Sequence, residues 1–420
     1  MTGGLRGARI GLLREAGGFR LLFFATLASA IGTWLAFVAL VIDVFDRTEN
    51  ASWVSALLIA EFLPSVVVGF LAGRLLDRVS RRWILVLSDA VRAGVFFVLP
   101  LTTTALQIVV LAFVAGIATS LFRPTVYAGL PNLVPADDLP QANGLLQAGD
   151  NFTWAIGALT GGALVAATSP DVAYVVNAIS FAVSALLILR IRQSLEEAEH
   201  APSRGHWRDL VEGFGFAIRS RSLVTVIVAW SIAIFAMAGV NVAEVVLAKD
   251  VFSAGDFGFG LLVAAGAAGL VLGSFFGGSW IDQRGMSIPY GVSIGLMALG
   301  YGAAAGAPNV WVAAIVVVAA GAGNGVAIVT NGVLVQRGAP DRLRGRSFAL
   351  VMSIGYACLG VGMIAAGPLT NEVGARAVWA ASAVLLGIAS AVGFVLARRV
   401  DAEGRRYGLA PAHGAEPARD

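Results

Sequence analysis

Apolar residues in this chain come in long blocks broken by short polar or charged stretches, without the strict alternation of a half-buried strand. A block of about 20 apolar residues is what a helix needs to cross a hydrocarbon core about 30 Å thick. The pattern predicts about twelve such spans: 19–45, 52–77, 83–103, 106–130, 139–168, 171–193, 222–248, 257–281, 287–306, 309–336, 344–371 and 374–398. Short links such as Arg47 to Ser52 and Ser169 to Asp171 imply antiparallel neighbours. The longest break, 194–221, is charged and separates two sets of six spans. Within it Trp207, Leu210, Phe214 and Ile218 fall at helical spacing, which predicts a surface helix lying against the membrane. The expected organisation is a six-helix half (1–193), a linker (194–221), a second six-helix half (222–398) and a disordered tail (399–420). The fold class is an all-α polytopic membrane protein.

Composition sharpens this reading by exclusion. Of the 420 residues, 58% are apolar and 13% charged, and the mean hydropathy is +0.82. A soluble domain carries about 25% charged residues, so a soluble enzyme, a disordered chain and a single-anchor receptor are excluded. The only lysine, Lys249, follows Leu-Ala, so no phosphate-binding Gly-x-x-x-x-Gly-Lys loop exists. One cysteine, Cys358, allows neither an intrachain disulfide nor a thiolate metal cluster. His200, His206 and His413 lie in the linker and tail, so a buried proton relay would have to use carboxylates. No metal site and no cofactor are expected. The apparent signal-peptidase site Ala28-Ser29-Ala30 lies inside an apolar run that continues through Val41, so cleavage is not expected.

The net charge of +3 does not indicate nucleic acid, because the arginines are dispersed between spans. Arg6, Arg9, Arg14 and Arg20 precede the first span; Arg78, Arg81 and Arg82 follow the second; Arg204, Arg208, Arg219 and Arg221 lie in the linker. Arg337, Arg342, Arg344 and Arg346 follow the tenth span, and Arg398, Arg399, Arg405 and Arg406 the twelfth. All fall on one side, against Arg47, Lys249 and Arg376 on the other. Positive loops stay cytoplasmic, which places both termini and the linker in the cytoplasm.

The halves repeat one another weakly. Asp43-Val44-Phe45 ends the first span and Asp250-Val251-Phe252 the seventh. The second span closes on Gly69-Phe-Leu-Ala-Gly73-Arg74-Leu-Leu-Asp77-Arg78, followed by Val-Ser80-Arg81-Arg82, and the eighth on Gly278-Ser-Trp-Ile-Asp282-Gln-Arg284. Glycines four apart let another helix approach closely. A boundary aspartate can accept hydrogen bonds from a helix N-terminus. With arginines able to pair in only some domain positions, these loops are candidate latches between the halves.

The loop around Asp77 resembles the signature of the major facilitator superfamily, and the resemblance extends over nearly the whole chain. Phe62-Leu63-Pro64, Asp89-Ala-Val-Arg92-Ala93, Arg123-Pro124, Leu130-Pro131-Asn132-Leu133-Val134-Pro135, Gln141-Ala142-Asn143-Gly144 and Leu343-Arg344-Gly345-Arg346 are similar to its drug:proton antiporter branch, which contains macrolide-efflux proteins and the enterobactin exporter. That resemblance implies proton-driven export of a small organic molecule. The expected setting is the lipid bilayer of a bacterial plasma membrane, with no nucleic-acid partner; the sequence leaves the oligomeric state open, a monomer being the expectation. Ser80 stands where the family loop usually has glycine. The antiporter-like segment Gly157-Ala158-Leu-Thr-Gly161-Gly162 has alanine in place of the signature proline, although Gly367-Pro368 occurs in the eleventh span.

Charges within spans carry the sharpest chemistry, since one at mid-membrane costs about 2.5–3.5 kcal/mol and needs a partner or water. Asp89 and Arg92 are three apart on one helix face and can neutralise each other. Arg123 lies in the cytoplasmic half and Glu61 in the outer half; Asp43 and Glu244 fall near the outer ends and are read as boundary residues. Asp150 lies near mid-depth without an opposite charge within four residues. It could alternate between a proton and a cationic substrate, or it could pair with Arg123 from another helix. Asp150 and Glu61 are the candidate proton carriers. Trp34, Asn151, Trp154, Trp230, Asn241, Asn324, Asn331 and Tyr356 are candidate walls of a cavity for an amphiphilic ligand.

The expected function is secondary active transport by alternating access, with no enzymatic step. Two other readings stay open: a lipid or lysolipid flippase or importer on the same fold, and a non-transporting receptor or subunit. The topology is directly testable. With Cys358 replaced by serine, a cysteine at Ser203 is expected to react with an impermeant thiol reagent only after cells are opened; reaction in intact cells would reverse the orientation.

Overall fold

A computed structural model describes residues 12–13, 16–76, 79–195, 215–339 and 341–406; the side chains of 66–76, 282, 341–346 and 403–406 lie outside that description. The described residues form twelve long helices: α1 Gly17–Thr48, α2 Ala51–Leu76, α3 Arg81–Val98, α4 Ala105–Gly129, α5 Leu139–Ala167, α6 Pro170–Leu189, α7 Arg221–Val246, α8 Gly255–Arg284, α9 Ser287–Ala305, α10 Val310–Gly338, α11 Asp341–Val373 and α12 Ala375–Arg406. Helices are the expected outcome, because hydrocarbon satisfies no backbone donor or acceptor. Local chemistry sets their ends. Thr104 and Gln107 form a capping box at α4, and Asn309 Oδ1 accepts from Trp311 N and Val312 N, each at 3.1 Å, at α10. Gly285 (φ 76°) and Gly374 (φ 84°) supply the left-handed turns after α8 and α11.

By length and composition, ten of the helical stretches could cross a membrane, with Ala51–Ser65 as a shorter apolar helix. Helix α5 is not among the ten, because Gln141, Asn143, Gln147, Asp150 and Asn151 occupy its first half. Two boundaries differ from the sequence reading. Helix α7 continues as a π-helical turn, Leu247–Val251, and Glu244, half-buried near the end of α7, lies close to Tyr301. Helix α12 continues past 398 to Arg406, where Asp401 accepts from the N–H groups of Met286 and Ser287 at 3.0 Å each and caps α9. Of the expected surface helix, Trp207, Leu210 and Phe214 lie outside the described residues; Gly215–Ala217 is helical and Ile218 is exposed.

The packing repeats between the two sets of six. Helix α1 packs on α5 and α6, α2 on α4, and α3 on α4 and α6; likewise α7 packs on α11 and α12, α8 on α10, and α9 on α10 and α12. Two pairs related by the same repeat join the halves, α5 with α8 and α2 with α11. Both meet in the part of the membrane remote from the termini, here termed the far end. A Cβ built on Gly162 of α5 would lie 2.8 Å from Gly260 Cα and 2.9 Å from Asp256 O of α8, and one on Gly367 of α11 would lie 2.6 Å from Ser52 Cα of α2. Among the described residues, these backbone approaches and the side-chain hydrogen bonds that join the halves lie at this end.

The glycine stripes are packing surfaces. Gly157 and Gly161 face Trp34 and Leu35 of α1, and Gly269 and Gly273 face the main chain of α10 at Val318 and Ala322. A Cβ on Gly273 would lie 2.8 Å from Ala322 Cα, whereas one on Gly387 would meet nothing within 4 Å. Overpacking of this kind costs about 1–3 kcal/mol. Gly273→Val is therefore expected to lower the thermal unfolding midpoint in detergent clearly, and Gly387→Val to leave it near wild type; equal midpoints would remove the close-approach argument.

Candidate functional site

The polar face that sets α5 apart borders a cavity of about 270 Å³ within the first half, lined by α1, α3, α4 and α5. Helix α1 supplies Thr26, Ser29, Thr33 and Trp34; α3 supplies Arg92; α4 supplies Thr119, Phe122, Arg123 and Tyr127; α5 supplies Gln147, Asp150, Asn151 and Trp154. Thr26, Ser29 and Thr33 share a face because they are spaced three and four apart. Two of these hydroxyls donate to their own helix, Thr26 to Phe23 O at 2.9 Å and Thr33 to Ser29 O at 2.7 Å. Such back-bonding satisfies a hydroxyl in apolar surroundings.

Two aromatic planes form one wall. Trp34 and Trp154 stack with centroids 4.9 Å apart and planes 18° apart, and Phe37 packs edge-on to Trp34 at 5.6 Å. Trp154 can approach this closely because Gly157, one turn along α5, leaves room for the Trp34 Cβ. The Trp154 Nε1 donor is buried and has no acceptor among the described residues.

Charges form two pairs of different character. Asp89 and Arg92 are ion-paired on α3 and almost fully buried, at 0% and 3% side-chain exposure. The Arg92 guanidinium lies between the rings of Phe122 and Phe181, 4.3 and 4.2 Å from their centroids, so cation–π attraction helps hold it. Arg123 and Asp150 are ion-paired across α4 and α5, with side chains 57% and 26% exposed. The carboxylate that has no partner along its own helix thus has one on the next. This second pair faces the cavity and is open to water; the first is almost fully buried, with only Arg92 of the two reaching the cavity lining.

The remaining sequence candidates are distributed elsewhere. Glu61 is partly buried on α2 and makes no hydrogen bond or ion pair among the described residues. Trp230 is buried in the core of the second half, Asn241 and Asn324 are partly buried, and Tyr356 is exposed on α11. Asn331 Oδ1 accepts from the Tyr290 hydroxyl at 2.7 Å, which ties α10 to α9. Tyr127 and the hydroxyl row of α1 belong to the cavity and went unread in the sequence, although the row's helical spacing was a usable signal.

The signature loops fall partly within the described residues. Asp77 and Arg78 lie outside them, and so do the surroundings of Gly69 and Gly73 and the side chain of Asp282; Gly278 and Arg284 are exposed at the end of α8. Arg81 Nη1 donates to Ala128 O at 3.0 Å and Leu195 O at 2.9 Å, and Arg82 Nη2 to Gln193 O at 2.9 Å. In this conformation both arginines staple chain ends within the first half and pair with no carboxylate among the described residues.

Twelve long helices among the described residues, in two repeated sixes, with ten stretches long and apolar enough to cross a membrane and a polar and aromatic cavity in the first six, have the build of a multi-pass transporter of the major facilitator type. The chain belongs to the transmembrane secretion effector family of that superfamily, whose model matches residues 13–407. It is similar to the multidrug efflux pump Tap of Mycobacterium tuberculosis, 26% identical over 385 residues that cover 87% of this chain and 90% of that one. Macrolide efflux protein A of Streptococcus pyogenes is 19% identical over 346 residues, covering 80% of this chain and 85% of that one. The nucleoside transporter NupG has the same fold, with a TM-score of 0.71 at 14% identity over 91% of this chain and 98% of that one.

Proposed function

We propose that this transporter exports a small amphiphilic organic molecule from the cytoplasm, driven by protons moving inward. The observation that carries this reading is the Arg123–Asp150 pair on the wall of a cavity beside the Trp34–Trp154 stack. The aromatic planes suit an apolar ligand body, while the amides and the ion pair suit a polar group on it. The efflux named for the two relatives supports the direction. Both termini then face the cytoplasm of a bacterial cell, in keeping with the arginine asymmetry, and the cavity loads from that side.

Asp150 is the exchange point in this reading. Ionised, it neutralises Arg123; protonated, it releases the guanidinium to the ligand or to water. A proton and a substrate competing for one ion pair couple the two fluxes, because each changes the affinity for the other. The closed far end opens when the halves rock, and the loops at Asp77 and Asp282 then stabilise the opposite closure.

The test is a substrate screen in energised inside-out vesicles, with and without protonophore. For a transported compound, Asp150→Asn is expected to abolish accumulation against a gradient and to retain downhill exchange, with Asp150→Glu keeping partial accumulation. Should Asp150→Asn instead deplete folded protein, and Asp150→Asn with Arg123→Gln restore both protein and accumulation, the carboxylate is only a counter-ion and the coupling role is lost.

A further inference from the structure

Among the described residues the far end carries three cations, and their partners divide between the halves. Arg47 donates to both Asp43 carboxylate oxygens, at 2.7 and 3.0 Å, and to Thr102 O at 2.7 Å, all within the first half. The same Asp43 accepts from the Tyr174 hydroxyl at 2.9 Å. Arg376 donates to Ala305 O at 2.7 Å and Ala307 O at 2.9 Å, within the second half. Lys249 alone of the three crosses: its ammonium bonds Asp256 Oδ1 at 2.6 Å in its own half and Asp46 of the first half.

Local structure aims it there. Lys249 sits in the π-helical turn Leu247–Val251, whose extra residue per turn rotates the side chains that follow α7. Asp256 lies in the first turn of α8, where a carboxylate is favoured by the helix dipole. Asp46 lies in the last turn of α1, and its sequence neighbour Arg47 is already engaged by Asp43. Beside this contact, the Asn371 side chain of α11 accepts from Ala51 N at 2.9 Å and donates to Asn50 Oδ1 at 2.7 Å and Ser52 Oγ at 3.1 Å. It thereby caps α2 of the other half.

We propose that the Lys249 ammonium, shared between Asp46 and Asp256, is the bolt that holds the two halves together at the far end and sets which face the resting transporter presents. Asn371 is an uncharged second tie, and the Gly162–Gly260 contact is the stop against which both close. Opening at the far end must break the Lys249–Asp46 bond and can leave Lys249–Asp256 whole, because only the former joins the halves. The proposal rests on the alternating-access reading above. Its test involves no transport, so failure of one is distinguishable from failure of the other.

Spin labels at Glu49→Cys and Ser253→Cys, with Cys358→Ser, span the contact, and their distance distribution is measured on the full chain in lipid nanodiscs. Wild type is expected to give a predominantly short distance. Asp46→Asn and Lys249→Met are each expected to raise the long-distance population about tenfold, the equivalent of about 1.4 kcal/mol. Asp256→Asn is expected to raise it less, and the exchange Asp46→Lys with Lys249→Asp to return it toward wild type. Unchanged distributions, or an Asp256→Asn effect as large as that of Asp46→Asn, would overturn the proposal. If the single variants do not fold, the lone lysine provides a second readout on the otherwise native chain. Modification of Lys249 by an amine reagent must accelerate when Gly162→Val obstructs closure, and an unchanged rate would likewise overturn the bolt.

Discussion

The fold depends on one constraint: in hydrocarbon no charge and no backbone polar group can be left to the solvent. The backbone answers by being helical almost throughout. Most of the charges within the helices answer by pairing, Glu61 being without a partner among the described residues, and the form of each pair differs with its place in the fold. Asp89 and Arg92 are neutralised on one helix and sealed by two phenylalanine rings. Asp43 and Arg47 close on each other one turn from the end of α1. Among the described residues, only Arg123 with Asp150, and Lys249 with its two aspartates, combine charge, connection between helices and partial exposure. A pair reachable by water can be broken and remade within a cycle, whereas a sealed pair is part of the scaffold.

Motion follows from where the backbones touch. The two halves repeat one another's packing, and glycine lets α8 and α10 approach backbone to backbone. Between the halves, α5 meets α8 and α2 meets α11, and the closest approaches are at the far end. Close backbone approach at one end lets two bodies pivot about it, which is how transporters built from repeated halves alternate their access. The cavity reaches mid-depth on the other side of that contact and lies wholly within the first half's wall. Its volume of about 270 Å³ is at the small end of ligand pockets, which run to about 300–1,000 Å³.

The spans were legible because a long apolar block has few alternatives to a membrane helix. The Asp89–Arg92 pair was legible for a similar reason, since three-residue spacing on a helix fixes proximity. Trp34, Asn151 and Trp154 could be proposed as cavity walls from residue type, but the stacking of the two indoles depends on the α1–α5 approach that Gly157 allows. Arg123 and Asp150 stand 27 positions apart on different helices, so the sequence left pairing and isolation equally open. In the sequence Lys249 rules out a nucleotide loop but gives no sign of its partner Asp46, which is 203 positions away. Arg81 and Arg82 looked like partners for carboxylates, yet carbonyl oxygens at chain ends are equally good acceptors, and sequence spacing does not distinguish the two.

The central claim is that one ion pair, Arg123 with Asp150, is where proton and substrate exchange. Its most direct measurement is proton release when a transported substrate is added to the detergent-solubilised, weakly buffered protein, followed with a pH-indicating dye. The account expects wild type to release protons on substrate binding, and Asp150→Asn to bind substrate without releasing any. Substrate binding with no proton release in wild type, or undiminished release from Asp150→Asn, would contradict it.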